Sequence, residues 1–126
     1  MSICYDLRFA HLYWQLARDG AHILTVPAAF TAVSGAAHWH VLLRARAIET
    51  GCYVIAPAQC STHSDGRQSY GHAMIISPWG EILAEANDGD GVITAIIDLA
   101  KITAARQAIP SLASSAEFGK TRFYRR

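Results

Sequence analysis

Few charges, no long apolar run and no paired cysteines set the first limits on this sequence. Its 126 residues carry a net charge of +1 and 17% charged side chains, which does not indicate binding to nucleic acid or an anionic membrane. No apolar run approaches the about 20 residues that span a membrane. The N-terminus also lacks the basic and apolar stretches of a signal peptide. We therefore expect a cytoplasmic protein without nucleic-acid or membrane partners.

The cysteines and histidines do not follow the spacings of known metal sites. Cys4, Cys52 and Cys60 form no C-x-x-C pair, and an odd count does not indicate a disulfide framework. His38 and His40 would share one face of a strand, but their segment is predicted to be helical. The sequence therefore predicts no metal ion and no cofactor.

The apolar residues are numerous enough, at 52% of the chain, for one domain with a hydrophobic core. Residues 28–37 and 61–69 are predicted to be loops, and 87–91 a turn, because small and polar residues dominate them. The apolar spacing predicts strands at 1–5, 21–27, 52–56, 72–77, 82–84 and 92–97, and helices at 10–19, 38–50 and 99–108. This order indicates an α/β fold with a mixed sheet.

Cys4 lies where the first predicted strand meets the first predicted helix. Such a turn can hold a thiol exposed and close to backbone N–H groups, which suits a covalent nucleophile. Taken alone, a cysteine at this place is more often a buried, unreactive thiol. Cys52 opens a predicted buried strand and fits that second description. Cys60, between that strand and residues 61–69, is also predicted to lie in a loop.

Four segments carry a more specific signal because they occur together and in a fixed order. They are residues 3–9 (ICYDLRF), 26–31 (VPAAFT), 38–49 (HWHVLLRARAIE) and 71–81 (GHAMIISPWGE). In these segments the chain resembles the nitrilase, or carbon-nitrogen hydrolase, superfamily. Residues 58–59, 67–72 and 109–112 make it most similar to the branch of deaminated-glutathione amidases, with ω-amidases as the neighbouring branch.

The resemblance implies a fold and a reaction. The fold is a four-layer α-β-β-α sandwich, and the reaction is hydrolysis of a non-peptide carbon-nitrogen bond through a cysteine thioester. In this superfamily a Glu is the general base, a Lys stabilises the oxyanion, and a second Glu often assists. Cys4 matches the nucleophile position, and the backbone N–H of Tyr5 matches the second oxyanion donor. A thiol is mostly protonated near neutral pH, which explains why the reaction needs a base.

The resemblance also implies substrate contacts. Arg8, four residues after the cysteine, matches the residue that binds the substrate carboxylate, and a guanidinium suits that group. Phe30 matches an aromatic wall of the pocket, and Ser34 matches a position usually held by Thr. An ion pair with Asp6 or another carboxylate is the alternative role for Arg8. The chain departs from the family at Ala10 and His11, usually Pro-Glu, and at Ser77, usually Asp.

The resemblance covers roughly the C-terminal half of the family's domain, so we expect residues 1–126 to be that half, with the N-terminal half absent. The base and the oxyanion cation belong to the other half, and neither Glu49 nor Lys101 matches their motifs. The predicted function is therefore an amidase, incomplete in this chain, for a small linear amide bearing a carboxylate. The alternative is a truncated, inactive relative that serves as a folded or partner-binding fragment. We also expect a homo-oligomer, with Trp14 near its interface.

Overall fold

The structure is a computed structural model that describes residues 1–87 and 89–114. This part of the chain begins with a 3-10 helix, Cys4–Arg8. It contains the helices α1 (Ala10–Arg18), α2 (Ala32–Thr50) and α3 (Leu99–Ala108), and the strands β1 (Ile23–Thr25), β2 (Tyr53–Ala56), β3 (Cys60–Thr62), β4 (Gln68–Tyr70), β5 (Met74–Ile76) and β6 (Ile82–Glu85). None of these helices is long and apolar enough to span a membrane.

The main sheet has the strand order β1-β2-β5-β6. β1 and β2 run parallel, whereas β2, β5 and β6 pair antiparallel, with Val54 opposite Ile76. β3 and β4 form a separate two-stranded sheet. The predicted mixed sheet in an α/β fold is therefore confirmed, and the parallel pair is joined by α2, as a crossover connection requires.

The core lies between α2 and the main sheet and is built from apolar side chains that the sequence pattern places inside. Val54, Met74 and Ile76 come from the sheet, and Trp39 and Leu43 come from α2; all five are fully or almost fully buried. The largest of them, Trp39, also donates a hydrogen bond from its indole Nε1 to the carbonyl of His72, at 2.8 Å. The polar edge of the indole is thereby satisfied inside the core.

A buried arginine joins α2 to the N-terminal segment. Arg46 donates from Nε and Nη2 to the carbonyl of Leu7, at 3.1 and 2.9 Å, and from Nη1 to the Glu49 carboxylate, at 3.0 Å. The guanidinium also lies 5.5 Å from the ring centre of Tyr13. Because Leu7 belongs to the 3-10 helix, these contacts fix the segment that carries Cys4 and Arg8 against α2.

Two predictions for the first forty residues were wrong. Residues 1–5 are not the end of a strand, because the 3-10 helix already begins at Cys4. Residues 28–37 are not wholly a loop, because α2 begins at Ala32, after Thr31, whose hydroxyl caps it by accepting a hydrogen bond from the Ser34 N–H. Small residues in the first turns of α2 hid its start, and one of them, Gly35, leaves room for the Tyr70 ring.

Further along the chain, α3 has its predicted bounds, and β1, β2 and β5 are shorter than predicted. Residues 61–69 contain parts of β3 and β4 and so are not entirely a loop. The strand predicted at 92–97 is wrong: no described strand pairs with it, and Val92 and Ile96 are about nine-tenths exposed. An apolar pattern makes a strand only where a neighbour can pair its backbone. Asp88 of the predicted turn lies outside the described residues, as do residues 115–126.

Candidate active site

Cys4 lies at the junction of an extended segment and the 3-10 helix. Ile3 is extended, with φ −138° and ψ 126°, and the N–H groups of Ser2 and Cys4 donate to the carbonyls of Thr25 and Pro27, at 3.0 and 2.8 Å. These two bonds follow the spacing of a parallel ladder along the end of β1. The thiol is thereby fixed beside the carboxyl end of β1, half-buried against the core.

The backbone of Cys4 adopts a left-handed conformation with φ +45°. This region is uncommon for residues other than glycine and is disfavoured by contacts of Cβ. Strained conformations of this kind cluster at active sites, where the surrounding structure holds them in place. The hydrogen bond to Pro27 on one side of Cys4 and the 3-10 helix on the other provide that support.

The residue after Cys4 contributes its backbone to the site. Tyr5 lies in the first turn of the 3-10 helix, where N–H groups have no acceptor within the helix. Its side chain is 65% exposed and points away from the core, so only the N–H fits the predicted role as a donor. The neighbouring Asp6 carboxylate accepts the N–H of Ile3, at 2.9 Å, which holds the turn closed.

An open cleft of about 440 Å³ lies beside Cys4. Its other lining residues are mostly apolar or small: Ile3, Pro27, Ala28, Ala29, Pro57, Ala58 and Gln59. An isolated backbone bridge pairs two of these lining residues, Ala28 and Ala58. The predicted substrate-binding side chains do not line this cleft, so they form a second group of residues.

Arg8 is the centre of that second group. Its guanidinium lies 5.1 Å from the ring centre of Phe30 and 5.5 Å from that of Tyr5, and Nη1 is 3.3 Å from Nδ1 of His38. Within the described residues no carboxylate lies at ion-pair distance from Arg8, so the alternative ion pair with Asp6 is not formed. The cation is held by aromatic faces and remains available to an anion.

Phe30 and Ser34 lie on the chain that leads into α2. Phe30 is buried, with its ring centre 4.8 Å from that of Trp39. The Ser34 hydroxyl is 2.8 Å from Oγ1 of Thr31, in the cap of α2. Ser34 and His38 are one turn apart on the same face of α2, and His38 contacts Arg8. The structure therefore brings Phe30 to Arg8 directly and places Ser34 on the adjoining helix face.

The histidines have partners that the sequence did not reveal. His38 contacts Arg8, whereas His40 and His72 both donate to Oε1 of Glu85, at 2.8 and 2.7 Å. Partial burial raises the pKa of the Glu85 carboxyl, but the hydrogen bonds from His72 and His40 outweigh it and hold the pKa below its ordinary value. The three residues come from distant parts of the chain, so no spacing rule could have found them.

Neither of the other two cysteines lines the cleft beside Cys4. Cys52 is fully buried, and its thiol donates to the carbonyl of Ala21, at 3.2 Å, which agrees with the predicted packing role. Cys60 is half-buried at the start of β3 rather than in a loop. Cys60 therefore serves as an internal comparison for Cys4, because both thiols are free and partly accessible.

The sequence pattern of the carbon-nitrogen hydrolase family matches residues 1–107. The chain therefore belongs to this family, which is a family of enzymes. Among curated relatives, it is 56% identical over 112 residues to the deaminated glutathione amidase of Synechocystis sp. strain PCC 6803. The match covers 89% of this chain and 41% of that relative, so the chain spans about two-fifths of the length of the protein it resembles.

Solved structures share the fold. The C. elegans NitFhit protein superposes with a TM-score of 0.88 and 44% identity, covering 91% of this chain and 28% of that one. An amidase mutant from Nesterenkonia sp. AN1 gives a TM-score of 0.69 at 26% identity, over 84% of this chain and 40% of that one. In that protein, the acetamide moiety of fluoroacetamide is covalently added at the active-site cysteine.

Proposed function

We propose that this chain carries the nucleophile and the carboxylate-binding residues of an amidase for small linear amides with a free carboxylate, with deaminated glutathione as the model substrate. The observation that carries the proposal is the conformation of Cys4. Its left-handed backbone, fixed by Pro27 and followed at once by the first turn of a 3-10 helix, presents a thiol and an N–H donor together. The deaminated glutathione amidase named among the relatives supports the substrate class.

In the proposed reaction, the Cys4 thiolate attacks the carbonyl carbon of the amide, and the charge that develops on its oxygen is stabilised in part by the Tyr5 N–H. The carbon-nitrogen bond then breaks, the nitrogen takes a proton, and ammonia leaves. Water attacks the resulting Cys4 thioester and releases the free acid. The cysteine adduct of the Nesterenkonia amidase supports a cysteine nucleophile in a fold of this kind.

Arg8 is proposed to bind the carboxylate at the far end of the substrate. Its guanidinium has a fixed position over Phe30 and has no carboxylate partner in the described chain. Phe30 would form an apolar wall under the substrate, and the Ser34 hydroxyl would lie on the adjoining face of α2. An anion on Arg8 would gain charge-assisted hydrogen bonds, which are about twice as strong as neutral ones.

The general base and the oxyanion cation are proposed to come from the family's N-terminal half. The motifs that carry the Glu and the Lys have no counterpart in residues 1–126, and the chain spans only 41% of its Synechocystis relative. In the described structure, no carboxylate or ammonium group lines the cleft beside Cys4. We therefore propose that the active site is complete only when the family's N-terminal half is present.

The proposed setting is the cytoplasm, as a homo-oligomer. Exposed aromatic side chains lie next to the nucleophile, with Tyr5 and Phe9 packed edge to face at 5.8 Å, and Trp14 is half-buried under Arg18 on α1. Aromatic residues are enriched at interfaces between proteins. The exposed aromatic side chains of this region therefore support self-association through α1.

A second candidate function is that of an inactive, partner-binding relative. Exposed apolar side chains on α2, Val33 and Val41, support it because exposed apolar surface is where one protein binds another. This candidate predicts no catalysis in any version of the protein. The two candidate functions therefore differ in whether the protein catalyses amide hydrolysis.

The experiment that separates the two is ammonia release from a carboxylate-bearing ω-amide. It compares residues 1–126 with a lengthened version that adds the family's N-terminal half. The amidase proposal expects turnover only by the lengthened version, abolished by Cys4→Ala and retained by the matched control Cys60→Ala. A lengthened version that folds but releases no ammonia would favour the inactive relative. Turnover by residues 1–126 alone would show that the proposed division of the site is wrong.

A further inference from the structure

Three side chains capable of binding metals meet where α2 lies against the β5–β6 hairpin. His40 comes from the middle of α2, His72 precedes β5, and Glu85 ends β6. His40 Nε2 and His72 Nδ1 lie 2.8 and 2.7 Å from the same carboxylate oxygen, and the three residues each offer one ligand atom within 4.8 Å of the other two. The site shares no residue with the Cys4 cleft.

The two imidazole rings are held in place by contacts other than Glu85. The Tyr70 ring stacks on His72, at 4.2 Å between centres and 26° between planes, and faces His40 edge to face at 6.0 Å. The backbone of His72 has φ +56°, and its carbonyl accepts the indole N–H of Trp39. The rings therefore converge on one point because of the surrounding fold, which is the requirement for a preorganised metal site.

We propose that His40, His72 and Glu85 bind one divalent transition-metal ion, with Zn²⁺ as the best fit. Zinc takes imidazole nitrogen and carboxylate oxygen at about 2.0–2.2 Å, and sites with three protein ligands keep water in the fourth position. A tetrahedral ion with such bonds needs ligand atoms about 3.3 Å apart. The carboxylate must therefore withdraw by about 0.5 Å, and the two imidazole nitrogens, which lie within 4.8 Å of each other, must approach by up to about 1.5 Å. The three side chains are each about 30% exposed, which leaves a path for the ion and its water.

The hydrogen-bonded triad is then the metal-free form of the site. In it, each ring nitrogen that faces Glu85 carries a proton. In the metal-bound form, that proton sits on the other nitrogen of the neutral ring, and the freed lone pair binds the ion. The ion would join α2 to the end of the β5–β6 hairpin, so its role is structural. Because the ion binds the folded chain and not the unfolded one, it raises the melting temperature.

Zinc titration of residues 1–126 tests this proposal, with stoichiometry counted per chain so that the oligomeric state does not matter. A chromophoric chelator competes for the ion. Every protein in the comparison, the background protein included, carries Cys4→Ser and Cys60→Ser, which remove the two accessible thiols. The proposal expects one Zn²⁺ per chain and a melting temperature that rises with zinc. His40→Ala, His72→Gln and Glu85→Gln should each weaken binding at least tenfold, whereas His22→Ala, which removes an exposed histidine elsewhere, should not.

Circular dichroism of each variant checks that it remains folded, and Co²⁺ reports the ligands directly. The visible bands of a four-coordinate ion without a thiolate charge-transfer band would support the histidine-carboxylate site. Two results would overturn the proposal. One is the absence of stoichiometric binding to the folded background protein, which would show that the triad is a hydrogen-bonded cluster only. The other is equal binding by the His22 variant and the three site variants.

Discussion

At the scale of single residues, Arg8 combines a fixed position with a free charge. It lies over Phe30 and beside Tyr5, and no carboxylate pairs with it in the described residues. In the lengthened version, Arg8→Gln should raise KM for a carboxylate-bearing amide by about 10- to 100-fold, because one or two charge-assisted hydrogen bonds are lost. Initial rates over a range of substrate concentrations measure this effect.

A neutral amide of the same length provides the control for Arg8. It lacks the carboxylate, so Arg8→Gln should change its kcat/KM little. If both substrates lost activity equally, Arg8 would support the fold of the site rather than bind the anion.

Tyr13 makes a buried contact that should appear in the pH dependence of stability. Its hydroxyl is 2.5 Å from Oγ of Ser2, and burial raises the pKa of the phenol, although the hydrogen bond with Ser2 lowers it in part. A group whose pKa is higher in the folded protein stabilises it fully below its unfolded pKa, about 10, and loses this effect as the pH rises through its folded pKa.

Tyr13→Phe should therefore cost about 1 kcal/mol of unfolding free energy at pH 7, through the lost hydrogen bond. The difference in unfolding free energy between the variant and the parent protein should shrink above pH 10. Only the parent protein has this phenol, so only the parent loses stability as the phenol ionises. Urea unfolding at several pH values measures both effects. Tyr5→Phe, at an exposed position, is the control and should change neither. A difference that stays constant up to pH 11 would contradict the account.

The sequence predicted some residues of the candidate active site and missed others. Cys4, Arg8 and Phe30 stand in segments whose order is specific, so the resemblance located them without coordinates. The contact between Arg8 and His38, and the triad at Glu85, join residues 30, 45 and 13 positions apart. Such contacts depend on how α2 packs against the sheet, which no local pattern encodes.

At the scale of elements, the 3-10 helix depends on α2 for its position. Arg46→Gln should cost about 2 kcal/mol, since it leaves the buried Leu7 carbonyl without the two N–H groups of its charged donor, whereas the Glu49 carboxylate is 43% exposed and remains solvated. It should also speed hydrogen exchange at the N–H groups of residues 4–8. Arg44→Gln is the matched control: Arg44 lies two residues earlier on the same helix and also donates to a carbonyl, that of Gly80, but is exposed.

The Arg44 variant should lose less than about 1 kcal/mol and leave exchange at residues 4–8 unchanged. Unfolding by denaturant and exchange followed by NMR give the two readings. Equal losses in both variants would mean that Arg46 does not fix the 3-10 helix.

The elements also show where local patterns are sufficient. β2 and β5 are short apolar runs between breakers and were predicted within one or two residues, because burial on both faces leaves no other arrangement. The start of α2 was missed because Thr31, rather than the apolar spacing, determines it. Residues 92–97 have the composition of a strand, but a strand also needs a neighbour, and the sequence of the segment does not supply one.

At the scale of the whole molecule, the sheet has one edge open to solvent in the described part. Residues 2–4 pair along β1, but β6 has no strand beyond it, and several large apolar side chains are exposed. An open edge and exposed apolar surface favour association. We therefore expect residues 1–126 to sediment as a dimer or a larger species at micromolar concentration.

Trp14→Glu, on α1, should shift that distribution towards the monomer, whereas Val33→Glu, on the exposed face of α2, should not. Circular dichroism confirms that both variants are folded. A clean monomer with a sharp two-state thermal transition in the parent protein would contradict the expected association.

The function of the whole molecule depends on Cys4 as the nucleophile, which an acyl-enzyme experiment tests directly. The lengthened version is mixed with an ω-amide substrate, quenched in acid within one turnover, and measured by intact-protein and peptide mass spectrometry. If Cys4 is the nucleophile, the protein gains a mass equal to the acyl group, located on the peptide that contains Cys4 and absent in Cys4→Ala. Ammonia release without any acyl adduct at Cys4, or an adduct on Cys60 instead, would contradict this role of Cys4.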